Sequence, residues 1–394
     1  MSIIVQKFGG TSVADVIRIQ KIVDKIIAAR AEGNKVVVVV SAMAGVTNQL
    51  ANYCASVSDL SVQSNLAEYD VALSSGEIVT AALLALALQQ RGISAHSVLS
   101  WQLPIKTDSS FSKALINDVD VSLLHRYIDD DIVPIVAGFQ GVNASNKLTT
   151  LGRGGSDTTA VAIAAGLKAK RCDIYTDVEG VFTTDPRLVS KAKKIDILSY
   201  EEMLEFTSMG AKVLHTRAVQ IGMRYDVPIR VLSSFSDGPG TMITKQSDIM
   251  ERDKITGIAH NKNIACLYIK IEDVKNLDGL LSQLADGNVH IDIMQREGDG
   301  NILIIIPLSD VQIAKKILDE MGASYKIRTD AAFVSVIGFG LKNNPCLFST
   351  IFSLLNTNNI KILMMLSSEI KISIMVPEDQ TELVLKIIHE ALVI

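Results

Sequence analysis

A chain of 394 residues with 48 % hydrophobic content is long enough for two or three folded domains and too apolar for a disordered segment. Its formal net charge is −5, and Lys and Arg are scattered rather than clustered, which excludes the basic footprint of a nucleic-acid binder or of a protein drawn to an anionic membrane. Cys54, Cys172, Cys266 and Cys346 stand far apart in no metal or disulfide spacing, and the histidines are dispersed, so no metal centre is expected and the thiols read as reduced.

In chain order, residues 3–8 read as a strand, followed by Ile19, Ile22, Val23, Ile26 and Ile27 at helical spacing. Residues 35–41 hold five consecutive valines, the mark of a strand covered on both faces. A helix over 79–89, a buried strand over 132–137, a small-residue helix over 160–167 and a strand ending at 173–176 follow. The alternation predicts a layered α/β domain with a mostly parallel sheet over 1–245. The Ser, Asp, Gly and Pro of 233–240 read as its turn-rich exit, and 246–253 as a linker. The longest apolar stretch, 79–88, is too short to span a bilayer, and Met1 leads within a few residues to Lys7 rather than to a signal peptide, so a cytoplasmic protein without a membrane partner is expected.

The C-terminal part repeats itself. Leu280-Leu281-Ser282 matches Ile351-Phe352-Ser353, Leu284 matches Leu355, and Asn288 matches Asn359. Met294 falls on Met365 and Pro307 on Pro377. Each copy reads strand, helix, strand, strand, helix, which predicts two related modules over 255–325 and 330–394, with the second possibly intertwined with the first.

Three glycine-bearing or polar segments carry the chemistry. In Lys7-Phe8-Gly9-Gly10-Thr11-Ser12 a strand turns into a helix, with backbone N–H groups and a fixed cation for a phosphate and Ser12 as a helix cap. In the segment 151–159, Arg153 between glycines suits bidentate hold of a carboxylate, and Asp157 sits at a helix start. The segment 175–187 puts Thr176, Asp177, Phe182 and Arg187 after a strand's carboxyl end, where ligands bind in open α/β sheets. Read alone, each segment also fits an ordinary capped turn or a solvated loop. No Walker A sequence occurs.

Together these segments resemble the aspartokinases of the amino acid kinase superfamily. Ser41-Ala42-Met43, Ser74-Ser75-Gly76-Glu77, Ala137-Gly138-Phe139-Gln140-Gly141 and Gly210-Ala211-Lys212-Val213-Leu214-His215 fit in order and spacing, and the repeat resembles the family's paired ferredoxin-like ACT modules. The resemblance implies ATP-dependent phosphorylation of the side-chain carboxylate of L-aspartate, the first step towards lysine, threonine, methionine and diaminopimelate. It implies catalytic roles for Lys7, Arg153 and Asp157, and an aspartate site of Ser41, Thr47, Glu77, Arg153, Gly154, Gly155 and Ser156. It implies an ATP site, with Mg²⁺, of Lys7, Phe8, Gly9, Gly10, Thr176, Asp177, Phe182, Arg187, Lys212 and Val213. Lysine and/or threonine are the implied effectors, near Asn288, Ile291, Asp292 and Gln295 and near 338–349, and ACT modules imply a homo-oligomer. Two departures from the family pattern stand out: 272–279 lacks a Pro-Gly turn, and Cys346 replaces a common glycine, where a side chain is expected either to constrain the turn or to crowd a backbone-bound effector. A terminal strand found in some relatives is expected to be missing after the last helix. Two rival readings are another small-acid kinase of the glutamate type and a catalytically inactive amino-acid sensor.

The chemistry agrees with the parts. A carboxylate with a pKa near ~4 is already ionised at neutral pH, so no general base is required. The difficulty is bringing an anion against a polyanion, which positioning and cations relieve.

Overall fold

The computed structural model describes residues 2–210, 213–248, 255–270, 277–297 and 301–393. The chain divides into two units: 1–182 with 194–252, and 183–193 with 253–394. Relative to a first domain over 1–245, the segment Thr183–Lys193 therefore clusters with the second unit.

The first unit opens with β1 (Ile3–Phe8), α1 (Val16–Ala31), β2 (Lys35–Val40), α2 (Val46–Val57), α3 (Leu66–Gln90) and β3 (Ala95–Val98). It continues with β4 (Ile105–Thr107), β5 (Ile116–Val119), α4 (Ser122–Asp129), β6 (Val133–Ala137), β7 (Gln140–Asn143) and β8 (Leu148–Thr150). α5 (Gly155–Gly166), β9 (Arg171–Thr176), β10 (Ile197–Ser199), α6 (Tyr200–Ser208), α7 (Thr216–Tyr225), β11 (Ile229–Ser233) and β12 (Thr241–Thr244) complete it.

An eight-stranded sheet runs β10-β12-β11-β9-β1-β2-β6-β3, and the pairs from β11 through β3 are all parallel. Val36 to Val40 of β2 are all buried, as a valine run between two layers requires. On α1, Ile19, Ile22, Val23 and Ile26 face this core. The helix is capped by Asp15, whose side chain accepts from the Arg18 N–H; Ser12, expected as the cap, instead shares a hydrogen bond with Ser234. The 233–240 segment is not the domain exit. It is the turn between β11 and β12, which pair antiparallel within the same sheet.

The stretch Gln63–Gln90, which includes α3, passes the length and composition test for a membrane span, contrary to the reading from 79–88 alone. Half of its apolar window is buried inside the protein, and Ala81, Leu84, Ala85 and Leu88 share a core with Ile4, Phe8 and Ile135. A helix that is apolar on most sides is what a helix inside a large core looks like. A smaller sheet, β5-β4-β7-β8, flanks this helix.

The second unit holds β13 (Gly257–Asn261), β14 (Ile264–Lys270), α8 (Leu277–Asp286), β15 (Ile293–Arg296), β16 (Asn301–Pro307), α9 (Val311–Glu320) and β17 (Tyr325–Arg328). β18 (Ala331–Ile337), α10 (Pro345–Thr357), β19 (Met364–Ser367), β20 (Lys371–Pro377) and α11 (Thr381–Leu392) follow. Its two sheets, β15-β16-β14-β17 and β19-β20-β18-β13, have matching orders. The matched asparagines both take left-handed backbone, Asn288 at φ 55° and Asn359 at φ 56°, and the matched prolines both end a strand. The fourth strand of the second sheet is β13, which falls inside the 255–325 expected for the first module, so the second sheet takes one strand from upstream of β14 and is not built from 330–394 alone. Cys346 lies exposed in the first turn of α10 behind Pro345, a helical position that accepts a side chain without strain. Of the 272–279 departure, residues 272–276 lie outside the described residues.

Candidate active site

β1 stands at the centre of the large sheet, with β2 and β6 on one side and β9 and β11 on the other. The chain leaves β1 for β2 first and reaches β9 only later, so the carboxyl ends of β1, β2 and β9 flank a topological switch point. A cavity of about 340 Å³ opens there, lined by Lys7 of β1 and Gly10 after it, by Ser41 to Gly45, Thr47 and Asn48 after β2, by Glu77 of α3, by Phe139, and by Gly152 to Asp157.

Lys7 and Asp157 are nearly buried and form an ion pair, Nζ to Oδ1 at 2.6 Å. Asp157 lies in the first turn of α5, whose dipole favours an anion and whose cap, Gly154, has φ 69°. A Cβ at Gly154 would stand within 2.5 Å of the His215 ring, so both the backbone sign and the close approach demand glycine. Burial lowers the His215 pKa, ahead of the opposing pull of Asp157.

Glu77 is 3 % exposed, and burial raises its carboxyl from 4.5 to about 7. Its Oε1 accepts from the Ala42 N–H at 3.0 Å, while among the described residues its Oε2 has no partner. A buried carboxylate oxygen without a donor, on the wall of a cavity, is a socket for a cation. Gly76 beside it lets α3 press against Ala42, since a Cβ there would lie 2.7 Å from the Ala42 Cβ.

The cavity brings together all of the expected aspartate and catalytic residues: Lys7, Ser41, Thr47, Glu77, Arg153, Gly154, Gly155, Ser156 and Asp157. The expected nucleotide residues are less concentrated. Gly10 lines the cavity, but the Gly9 N–H already donates to the Tyr175 carbonyl at 3.2 Å. The Phe8 ring stacks on Tyr175 with centroids 4.7 Å apart and belongs to the core, so Phe8 can offer a ligand only its backbone. Thr176 ends β9 and Asp177 follows it, with the Thr176 hydroxyl donating to Asp177 at 3.2 Å, and Phe182 and Val213 are half-buried. Arg187 lies in the segment that clusters with the second unit and pairs with Asp185 at 2.7 Å. Lys212 lies outside the described residues. In the second unit, Asn288, Ile291, Asp292 and Gln295 sit exposed on the turn into β15 or on that edge strand.

Asn48 was missed in the sequence, although it neighbours Thr47. Asp70, buried on α3 and bonded to Thr150 and Ser112, was missed as well. Its only sequence signal was an acid seven residues before Glu77 in a helix otherwise mostly apolar.

Lys7, Arg153, the α5 N-terminus and Glu77 around one cavity at the carboxyl ends of a parallel sheet suit a small ligand that carries both signs of charge, and the class of protein follows from the family it matches. The amino acid kinase family model matches residues 2–233, and the ACT domain model matches residues 334–392. The aspartokinase of Rickettsia conorii is 49 % identical over 97 % of this chain and 97 % of its own. Aspartokinase III of E. coli, solved with aspartate and ADP in its R-state, superposes with a TM-score of 0.82 at 25 % identity over the full length of both chains. The same enzyme, solved with lysine and aspartate in its T-state, gives a TM-score of 0.78 at 26 % identity over 99 % of each chain. The chain belongs to the aspartokinases of the amino acid kinase family, enzymes that phosphorylate the side-chain carboxylate of aspartate.

Proposed function

We propose that L-aspartate binds in the cavity with its ammonium on Glu77, its α-carboxylate on Arg153, and its side-chain carboxylate turned towards Lys7. The observation that carries this is the unpartnered Oε2 of a buried Glu77, whose pKa near 7 falls back to an ordinary carboxylate value once an ammonium sits beside it. Ser41, Thr47 and Ser156 supply hydroxyls along the same wall. The α5 N-terminus turns the positive end of its dipole towards the anion, while the Gly155 N–H itself already donates to the Gly152 carbonyl at 3.0 Å.

The side-chain carboxylate attacks the terminal phosphorus of ATP as it stands, already ionised, and ADP leaves. Lys7 neutralises charge on the phosphoryl group in flight, and Asp157 fixes its ammonium at 2.6 Å so that no reorganisation is needed at that moment. The nucleotide lies over Gly10, Thr176, Asp177, Phe182 and Val213. Mg²⁺ would enter with the nucleotide phosphates, and Asp177, directly after β9, is the carboxylate that would meet it. When bound, it neutralises charge on the phosphates.

The product feeds lysine, threonine, methionine and diaminopimelate synthesis in the cytoplasm. Lysine and/or threonine, bound at the turn around Asn288 to Gln295 on the edge of an ACT module, inhibit it, and the exposed edge strands β15 and β19 suit assembly with a second copy. The test is acyl-phosphate trapping with hydroxylamine, offering Mg-ATP with aspartate, glutamate or acetylglutamate while titrating lysine and threonine singly and together. Aspartyl hydroxamate in large excess supports the reading, and preference for glutamate overturns it.

A further inference from the structure

We infer that Asp70 and Arg217, neither of which lines the cavity, are positioning residues that set where the glycine turn presents Arg153. This rests on the reading of Arg153 as the holder of the substrate α-carboxylate.

Asp70 is fully buried in α3. Its carboxylate accepts from the Ser112 N–H at 2.9 Å, the Thr150 N–H at 2.7 Å and the Thr150 hydroxyl at 2.7 Å. A buried carboxylate is tolerated only when donors converge on it, and here the donors come from the loop at Ser112 and from the end of a strand at Thr150. Thr150 is the last residue of β8, directly before the turn Leu151 to Gly154. Ser112 packs against that turn: it holds φ 67°, and a Cβ at Gly152 would lie 3.0 Å from the Ser112 carbonyl oxygen.

Arg217 of α7 completes the clamp. Its Nη1 donates to the Leu151 carbonyl at 2.6 Å and its Nη2 to the Ala114 carbonyl at 2.9 Å. The Ala114 N–H in turn donates to the Thr150 carbonyl at 2.9 Å. Residues 112–114 and 150–152 are thus stitched together between a fixed anion from α3 and a fixed cation from α7. Arg153 is the next residue, and its guanidinium is itself exposed.

The geometry gives α3 a double task. Asp70 and Glu77 are seven residues apart, two helical turns on nearly the same face and about 10 Å along the axis. One rigid helix therefore carries the ammonium socket directly and the anchor of the carboxylate clamp through Asp70. The spacing between the groups that hold the α-ammonium and the α-carboxylate is thereby set by a helix rather than by a loop, which suits a site that must hold the amino-acid end of its substrate in one orientation.

The test is steady-state kinetics on Asp70→Asn, Arg217→Gln and Thr150→Val, each alone and combined with Arg153→Ala. Asparagine keeps the shape but turns an amide donor towards groups that are themselves donors. The expected result for Asp70→Asn is a KM for aspartate raised on the order of tenfold, with KM for ATP and kcat within about threefold. Arg217→Gln shifts the same constant by several-fold and Thr150→Val by about threefold. In the Arg153→Ala background all three effects shrink towards none, because the turn then presents nothing. A merely structural role would lower activity for both substrates together and add fully to Arg153→Ala. That result, or an unchanged KM for aspartate in folded Arg217→Gln and Thr150→Val, overturns the inference even if Asp70→Asn fails to fold. An Arg153→Ala enzyme with unchanged KM for aspartate would instead sink the reading of Arg153 itself, and the inference with it.

Discussion

The two units bury different things. In the first, Lys7, Asp70, Glu77, Asp157, Asp173 and Glu202 are all buried. In the second, the buried polar side chains among the described residues are Ser, Thr and His, and no Lys, Arg, Asp or Glu. Its two cores are aliphatic: Leu267, Leu280, Leu284 and Ile304 in one, Val334, Ile351, Leu355 and Ile374 in the other. Buried charge is expensive, so the first unit keeps it only where it is held or used. Asp173 is clamped by Arg171 and Arg230, and Glu202 closes a capping box with Ser199. What remains (Lys7, Asp70, Glu77 and Asp157) lies in or beside one cavity. Removing charge from the first unit should therefore cost rate, and removing methylenes from the second should cost stability.

The largest effect is expected at Lys7. Lys7→Ala should lower kcat by about 10³-fold, the scale of a lost charge-stabilising contact, with the aspartate KM changed far less. Wild-type turnover in hydroxylamine trapping would break the contrast at its strongest point. Leu280→Ala and Ile351→Ala, at matched positions of the repeat, should each destabilise the second unit by about 2–5 kcal/mol in denaturant unfolding. At saturating substrate and without effector both should retain near-native turnover, and a collapse of kcat would blur the line between the units.

Glu77 gives a pH signature. Its folded-state carboxyl titrates near 7 against 4.5 in the open chain, so the ligand-free fold gains stability from the proton below about 4.5 and loses it as pH rises through 7. The span amounts to roughly 3 kcal/mol at most, and Glu77→Gln should flatten that slope. Aspartate binding should release a proton between about pH 5 and 7 and tighten as pH rises to 7. Calorimetry in two buffers of different ionisation enthalpy reads this directly, and a buffer-independent heat would contradict it. The smallest effect is expected in the repeat's turns. Asn288→Ala and Asn359→Ala should each cost about 1 kcal/mol because both backbones are left-handed, whereas glycine at either should change stability by a few tenths. Equal losses for alanine and glycine would point to a side-chain role instead.

What was legible in the sequence follows the same division. The aliphatic repeat could be read because each core position recurs with its period, and the matched asparagines mark a real turn geometry. Lys7, Arg153 and Asp157 stood out because glycines or a strand end flank them, whereas Glu77 entered only through the resemblance of residues 74–77 to the aspartokinases. Asp70 and Arg217 could not, because their partners lie 80 and 66 residues away and only the folded chain brings them together. Ser12 misled because its hydroxyl finds Ser234, 222 residues on, in place of its own helix. The 233–240 turn misled because composition marks a turn without saying whether the chain then leaves a domain or returns to its sheet.

The most direct measurement is a crystal structure of the enzyme with L-aspartate and a non-hydrolysable ATP analogue. The expected density places the ammonium within hydrogen-bond reach of the Glu77 Oε2, the α-carboxylate on Arg153, and the side-chain carboxylate and terminal phosphate on either side of the Lys7 ammonium. Aspartate bound elsewhere, with water alone filling the space between Glu77 and Arg153, would contradict it.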